Sequence, residues 1–496
     1  MKDLLQQYQQ QMFKLSSYKL ALSTISVDAE TIAPKKGAQY RNKRLAFLSG
    51  EAYSIETSDE MVDLLIEMLV SEQIDDQTKK IVGWQLNDLN KIKMIPKDLF
   101  VYFENLSSDS QFYWKQAKEE NDYSIFKPYL KEIINTSKKI LQCRKGRLSG
   151  YDIFLDDYEV DMNQEKYDIF FNLIKQKIVP LIEKISLQKQ IDDSFAYQYF
   201  PIEKQRILMD KIMEYIGFDY DSGLLMESEH PFTDSISRYD TRITTHYYTN
   251  NLFSSIFSVI HEAGHANYNY SVRDDLAQTY CFDNMTSGMH ESQSRLYENY
   301  LGRNYHFWDN LFPFVKDLFA NELAGIDQNQ FVRAMNKSIP SLIRTESDEL
   351  TYPLHILIRY ELEKAIFNDE ISIDDLDYLW NKKYKEYLNV DVKNDSEGIL
   401  QDVHWSGGSF GYFPTYALGS GYSAQFMAKM RQDIDVDKCL SNNQFSTIKK
   451  WLRDNIGQYG GLNSPQQQMI IATSKPFDPN YYIDYLVDKY SKLYNL

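Results

Sequence analysis

The chain contains 496 residues, of which 43% are hydrophobic and 25% are charged, and its formal net charge is -17. This length and composition are ordinary for a soluble globular protein with a large core. The negative charge repels phosphate backbones and argues against nucleic-acid binding as the main role. Cys143, Cys281 and Cys439 are far apart, which argues against a disulfide framework and against a cysteine metal cluster.

The beginning of the chain, MKDLLQQYQQQMF, is polar where a secretory signal needs an apolar core. No apolar stretch approaches the roughly 18 residues that a membrane span requires. We therefore expect a cytoplasmic protein that binds neither membranes nor nucleic acid.

Hydrophobic periodicity predicts helices almost throughout the chain. The clearest helical segments are 59–71, 166–185 with a kink at Pro180, 205–216, 254–270, 289–300 and 354–367. The best strand is 241–249, which is rich in β-branched and aromatic residues. The glycine-rich segment 398–421 is predicted to be a shaped loop. With no internal repeat and no interdomain linker, the pattern indicates an all-α, mostly helical fold with a small β element.

Histidine is unevenly distributed, because none lies in the first 229 residues. The eight histidines are His230, His246, His261, His265, His290, His306, His355 and His404. We therefore place the chemistry between about residues 230 and 420 and interpret the first half as scaffold.

Segment 254–270 contains the motif His-Glu-Ala-Gly-His. Because positions four apart lie on one side of a helix, His261 and His265 can bind one ion. Glu262 then sits beside the metal, where it can take a proton from the attacking water. Zinc suits neutral imidazole ligands, so the motif predicts a zinc-dependent peptidase. The alternative is a helix with two unrelated histidines, but Gly264 costs such a helix about 1 kcal/mol. Close approach of another backbone, or of the substrate, would explain this glycine.

A catalytic zinc site needs a third protein ligand. Glu291, in the predicted helix 289–300, is the candidate, and a solvated helix charge is the alternative. His290 and Glu298 are rivals, and Glu298 could instead hydrogen-bond a ligand histidine.

Further motifs occur on both sides of this site. They are His-Pro-Phe at 230–232, Asp-Thr-Arg-Ile-Thr at 240–244, His-Glu-Ser-Gln at 290–293, Ile-Arg-Thr-Glu-Ser-Asp at 343–348 and Gly-Ile-Leu-Gln-Asp-Val-His-Trp at 398–405. In this order, and with the central motif, they resemble the Taq-type (thermostable) zinc metallocarboxypeptidase family. A weaker likeness covers 28–41, where Val27 stands in place of an expected tryptophan.

The resemblance implies one large helical domain, residues 1–496, with a deep groove. Residues 1–229 would form a wall of this groove and residues 230–496 the catalytic half. It also implies a homodimer that removes single residues with broad specificity from peptides with a free C-terminus. Co²⁺ is expected to be able to replace Zn²⁺.

Peptide hydrolysis also needs a group that stabilises the oxyanion. Segment 404–416 offers His404, Tyr412 and Tyr416, and related helical zinc peptidases use a histidine and tyrosines in a comparable segment. Because the chain has 38 tyrosines, a packing role is the alternative for each of them.

A carboxypeptidase must bind a free α-carboxylate, which the planar fork of an arginine does well. Arg242 and Arg344 lie within the matched motifs and are the candidates. The alternative for each is a structural ion pair, for instance with Asp240, Asp348 or Asp402. His230 is a third substrate-binding candidate.

Two other functions are compatible with the motifs. The first is a zinc oligoendopeptidase or dipeptidase of the same general fold, which would lack a cationic clamp at one end of the site. The second is a non-catalytic helical binding protein with a vestigial metal site.

Overall fold

The computed structural model describes residues 4–144 and 146–496, and these residues are mainly helical. The first half contains α1 (Leu4–Thr31), α2 (Ala38–Glu56), α3 (Asp59–Val70), α4 (Asp76–Lys93), α5 (Lys97–Glu120), α6 (Tyr123–Cys143), α7 (Tyr151–Tyr158), α8 (Gln164–Ser186) and α9 (Ile202–Ile216). The second half contains α10 (Leu252–Ser271), α11 (Tyr280–Asp283), α12 (Ser287–Arg295), α13 (Phe312–Leu318), α14 (Gln328–Met335), α15 (Tyr352–Phe367), α16 (Leu376–Leu388), α17 (Phe413–Asp433), α18 (Val436–Ser441), α19 (Phe445–Asn455), α20 (Pro465–Thr473) and α21 (Asn480–Tyr494). The predicted all-α class is confirmed.

Helix boundaries follow from local chemistry. The Ser58 side chain accepts a hydrogen bond from the Met61 backbone N–H and caps α3. The apolar side chains whose spacing predicted this helix include Met61, Leu64, Leu65 and Met68, and these four are buried. The predicted helices at 166–185, 205–216 and 354–367 correspond to α8, α9 and α15, and α8 continues through Pro180.

Three short strands form a small sheet: β1 (Gly223–Glu227), β2 (Thr233–Ser237) and β3 (Asp240–Thr245). The central strand, β3, pairs parallel with β1 and antiparallel with β2. The predicted strand at 241–249 therefore ends four residues early. The reason is that β1 ends at Glu227, opposite Thr245, so the chain beyond Thr245 has no strand to pair with.

The largest hydrophobic core runs from Ala117 to Tyr494 and joins helices of both halves of the chain. A smaller core between Tyr8 and Leu89 holds α1, α3 and α4 together. Among the described residues, no helix is long and apolar enough to cross a bilayer.

The prediction of a loop over 398–421 is wrong in its second part, because α17 begins at Phe413. Pro414 occupies the start of this helix, a position that suits proline. The glycines of the segment allow close packing: a Cβ on Gly419 would lie 2.7 Å from Glu291 Cβ. Tyr416 therefore lies in the first turn of a helix, not in a loop.

Candidate metal centre

Helix α10 carries His261 and His265 one turn apart, as the motif predicted. The Asn251 side chain caps its first turn by accepting a backbone N–H. Ile256 and Val259, in its apolar stripe, are fully buried. The helix is thus anchored on the core, and the two histidines reach the neighbouring helix α12.

Gly264 allows α10 and α12 to approach each other closely. A Cβ at this position would lie 2.7 Å from both the Gln293 carbonyl oxygen and Ser294 Cα. Such distances are too short for any side chain. The approach of a second backbone therefore explains the glycine, and it brings Glu291 of α12 towards the histidines.

Gly264→Ala should destabilise the protein by about 1–3 kcal/mol, because the added methyl overpacks this contact. The matched control is Gly83→Ala in α4, where a Cβ would meet only Leu69 Cδ2 at 3.9 Å. There the higher helix propensity of alanine should leave stability unchanged or raise it by up to about 1 kcal/mol. Denaturant unfolding measures both variants. Equal stabilities would contradict the packing argument.

Glu291 completes a set of three converging ligand atoms. Its Oε2 atom lies 3.6 Å from His261 Nε2 and 3.6 Å from His265 Nε2, and the three atoms lie within 4.8 Å of one another. Tetrahedral ligands at about 2.1 Å from zinc stand roughly 3.4 Å apart. The spacing and the imidazole and carboxylate donors therefore fit one Zn²⁺ or a similar divalent ion.

Glu298, one of the rival ligands, contacts the far side of His261. Its Oε2 atom lies 2.9 Å from His261 Nδ1, which leaves Nε2 to face Glu291. Burial opposes ionisation of Glu298, but Arg295 and the His261 hydrogen bond outweigh it and hold the pKa of Glu298 well below its usual range. This carboxylate is therefore placed to orient His261.

His290, the other rival, lies behind His265, with 2.8 Å between their Nδ1 atoms. One of these nitrogens must donate and the other accept. Burial lowers the pKa of His290 to about 4, so this ring is neutral at neutral pH and can accept from His265. That arrangement leaves the Nε2 lone pair of His265 facing Glu291.

Glu262 is buried, and its Oε2 atom accepts a hydrogen bond of 2.6 Å from Thr233 Oγ1. Burial raises the pKa of Glu262 and so strengthens it as a base. Thr233 is a residue that sequence reasoning missed, since a threonine in β2 is unremarkable until the sheet packs on α10.

Arg295 is a second missed residue, and it connects the two carboxylates. Its Nε donates to Glu291 Oε1 at 2.6 Å and its Nη1 to Glu298 Oε2 at 3.1 Å. The spacing of four between Glu291 and Arg295 was a signal in the sequence, because such pairs face each other on a helix.

His404, Tyr412 and Tyr416 form one cluster. His404 Nε2 lies 3.4 Å from the Tyr416 hydroxyl, and the Tyr412 ring lies 5.5 Å from the His404 ring and 5.1 Å from the Tyr416 ring. Burial raises the pKa of both phenols, so both remain protonated donors. The Tyr352 ring lies 6.4 Å from the Tyr416 ring and 4.1 Å from the guanidinium of Arg295, which donates to Glu291, so the cluster lies on the side of the converging ligands.

Arg344 is buried beside this cluster, with its guanidinium 5.1 Å from the Tyr416 ring. Its Nε and Nη2 donate to Asp402 Oδ1 at 3.0 and 2.9 Å, and its Nη1 donates to Tyr352 at 3.2 Å. The fully buried Arg359 binds the other oxygen of Asp402 at 2.7 Å. Arg344 thus forms the ion pair with Asp402 that was named as an alternative to substrate binding. It lies next to the candidate oxyanion donors.

Arg242 and His230 lie on the sheet side. Arg242 is paired with Asp234 across the sheet, on the face opposite Thr233, and it donates to Asp240 at 3.0 and 3.1 Å. His230 is exposed in the turn between β1 and β2. In the described part of the chain, neither side chain hydrogen-bonds to the three converging ligands.

Glu363 of α15 is a third residue that the sequence analysis missed. Its buried carboxylate accepts from Trp405 Nε1 at 2.6 Å, from the Gly411 N–H at 2.7 Å and from the Tyr151 hydroxyl at 2.6 Å. Two of these donors belong to the segment that carries His404 and Tyr412. The buried Glu363 therefore fixes the conformation of this segment through hydrogen bonds.

The comparisons with known proteins agree with the geometry. The family model described as carboxypeptidase Taq (M32) metallopeptidase matches residues 7–490. The chain is 39% identical over 488 residues to carboxypeptidase 1 of Bacillus subtilis, with 97% of each chain covered. It is 33% identical over 497 residues to thermostable carboxypeptidase 1 of Thermus thermophilus, again with 97% of each covered.

Solved structures give the same result. An M32 carboxypeptidase from Deinococcus radiodurans superposes with a TM-score of 0.96 at 28% identity, covering 99% of this chain and 100% of that chain. The resemblance seen in the sequence motifs and the predicted single-domain helical fold are thereby confirmed. The chain belongs to the Taq-type M32 family of metallopeptidases and is a metal-dependent carboxypeptidase.

Proposed function

We propose that the chain removes single residues, with broad specificity, from peptide C-termini and that His261, His265 and Glu291 hold Zn²⁺. The observation that carries this proposal is the convergence of three ligand atoms with spacings of 3.6 Å from Glu291 Oε2 to each histidine. When bound, zinc would supply Lewis-acid activation of water and of the scissile carbonyl. Co²⁺ has similar ligand preferences and would substitute for it.

Glu262 acts as the general base in this proposal. The Thr233 hydrogen bond fixes one oxygen of its carboxylate, so the other oxygen is the one that takes a proton from the attacking water. The same carboxyl group then returns the proton to the leaving amine. The raised pKa of buried Glu262 favours both steps.

His404, Tyr412 and Tyr416 are the proposed oxyanion stabilisers. Burial keeps the phenols protonated and lowers the pKa of His404 to about 4, so none of the three carries a charge at neutral pH. Preorganised neutral donors of this kind stabilise a developing negative charge without rearrangement.

Glu363→Gln should lower kcat by roughly 10- to 100-fold, because the amide NH₂ would face donors and displace the segment that holds His404 and Tyr412. Metal content should not change, since Glu363 does not contact the ligands. Tyr151→Phe is the matched control: it removes one donor but leaves Trp405 and Gly411 bound to Glu363. Steady-state kinetics with metal analysis tests both variants, and equal kcat values would contradict the positioning role.

Arg344, Arg242 and His230 are proposed to bind the substrate, with Arg344 as the main carboxylate clamp. Arg344 adjoins Tyr416, and its ion pair with Asp402 would hold the guanidinium rigidly for a substrate carboxylate. Arg242 and His230, at the sheet, would bind more distant parts of the peptide.

Peptides with a free C-terminus should be shortened one residue at a time, and C-terminally amidated versions should not be. The reason is that the amide removes the negative charge that an arginine clamp binds. Mass spectrometry of the product ladder from the zinc-loaded protein measures this. Equal cleavage of amidated and free peptides would contradict the arginine clamp. Failure of zinc and of cobalt to support any cleavage would contradict the proposed metal.

We also propose a cytoplasmic homodimer. Exposed apolar side chains on α1 and α2, such as Phe13 at 73% and Phe47 at 66% exposure, support an association surface. Buried thiols at Cys281 and Cys439 fit a reducing compartment. Light scattering tests the homodimer, and cell fractionation tests the cytoplasmic location.

A further inference from the structure

A cavity of about 590 Å³ lies beside α10, apart from the converging metal ligands, and is lined by side chains of α9, α10, α12 and α19. Tyr268 forms part of its wall. The Tyr268 ring lies 5.1 Å from the ring of His290, whose Nδ1 contacts His265. The cavity is therefore a separate space behind the metal centre, and its size suits a small organic molecule.

Aromatic rings form much of the wall. Phe445 of α19 lies 5.7 Å from the ring of Tyr215 and 5.6 Å from the ring of Tyr297, and all three line the cavity. Such a wall favours a flat apolar body that can stack on it or meet it edge-on.

Asn267 supplies an unpaired acceptor. This residue lines the cavity and is only 4% exposed, and its Nδ2 donates to the Ala263 carbonyl at 2.9 Å. Its buried Oδ1 has no hydrogen-bond partner among residues 4–144 and 146–496. A buried carbonyl without a partner is costly, so a ligand that donates a hydrogen bond here would gain affinity.

Lys449 supplies a positive charge. Of the charged side chains that line the cavity, Lys450 and Arg453 pair with Asp454, and Glu214 pairs with Lys211. The Lys449 ammonium group instead donates to the Gly217 carbonyl. Over the described ranges of the chain it forms no ion pair. Burial lowers the pKa of Lys449 and the nearby Asp219 carboxylate opposes this only in part, so a bound anion would raise the pKa further towards its usual value.

We propose that this cavity binds an aromatic carboxylate that also carries a hydrogen-bond donor. The ring would pack among Tyr215, Tyr297 and Phe445, the carboxylate would bind Lys449, and the donor would bind Asn267 Oδ1. No covalent step is involved.

A set of three probes tests the proposal by calorimetry on the zinc-loaded protein. The first probe, 6-hydroxy-2-naphthoate, has the ring, the charge and the donor. We expect it to bind about tenfold more tightly than 2-naphthoate, which lacks the hydroxyl, and than 6-hydroxy-2-naphthamide, which lacks the charge. Equal affinities for all three, or no binding of the first, would overturn the proposal.

Two variants and a metal-free sample locate the bound probe. Lys449→Met should weaken 6-hydroxy-2-naphthoate about tenfold, whereas Lys450→Met, with the same change of charge, should leave its affinity nearly unchanged. An equal loss in both variants would indicate unspecific attraction and overturn the assignment. Binding should persist after chelation of the metal; its loss would place the probe on the metal instead. The wild-type probe series decides the question if Lys449→Met does not fold.

Discussion

Glu262→Gln should keep its metal and lose about 10²- to 10⁴-fold in kcat, because only the proton acceptor is removed. Glutamine has nearly the same shape, and its side-chain carbonyl can still accept the Thr233 hydrogen bond that positions the native carboxylate. The three proposed ligands, His261, His265 and Glu291, are unchanged. Metal analysis measures the retained metal, and turnover of a peptide with a free C-terminus measures the loss of kcat.

Thr233→Val is a control for Glu262→Gln with a smaller expected loss of kcat. It keeps the carboxylate but removes the hydroxyl that donates to it at 2.6 Å. Loss of one such hydrogen bond should cost roughly 1–2 kcal/mol, or about tenfold in kcat. If Glu262→Gln retained more than a tenth of wild-type kcat, the general base would be another residue. Loss of metal from Glu262→Gln would instead give this residue a part in binding the ion.

The geometry of the candidate site could be predicted from the sequence where its residues are neighbours on one helix. The spacing of His261, Glu262 and His265 is a local property, because α-helical geometry fixes which positions share a side. Gly264 was also informative, because its cost in a helix predicted the close approach of another backbone or of the substrate. In the structure the backbone of Gln293 and Ser294 approaches it. Chain order and residue type alone did not decide between Glu291 and Glu298, because both lie after the start of α12 at a similar distance from the motif.

Residues that act through tertiary packing were not predictable. Thr233 contacts Glu262 only because β2 pairs with β3 and both pack against α10. Glu363 lies more than 40 residues before the two segment donors that it binds. The fully buried Arg359 shares Asp402 with Arg344, and nothing in the local sequence of α15 marks it.

The segment 398–421 shows why composition can mislead about secondary structure. Glycine lowers helix propensity by about 1 kcal/mol, so several glycines predicted a loop. In the structure Gly419 and Gly421 lie within α17, where a Cβ would collide with Glu291 or touch Phe477. Tight packing against neighbouring groups outweighs the propensity, and only the folded chain contains that packing term.

Glu291→Ala should lose metal affinity by more than the 10–100-fold that is typical for loss of a residue that only orients a ligand. It removes one of the three converging ligand atoms and leaves two imidazoles. The fold should persist, because alanine keeps the Cβ that packs on Gly419 and Arg295 still pairs with Glu298. Competition with a chromophoric zinc chelator measures the affinity, and circular dichroism checks the fold.

Glu298→Gln is the matched control for Glu291→Ala, since it removes a buried carboxylate of the same cluster but leaves the proposed ligands in place. Its amide oxygen can still accept from His261 Nδ1, so the loss of affinity should stay within about 100-fold. Activity should depend on the amount of bound metal. Saturating zinc should therefore restore much of the activity of Glu298→Gln and little of that of Glu291→Ala. If Glu291→Ala kept full metal and activity, the third ligand would be another residue, with Glu298 the next candidate. If Glu298→Gln lost more metal affinity than Glu291→Ala, Glu298 would likewise be the third ligand in place of Glu291. The residue whose replacement removes the metal is the one that binds the ion.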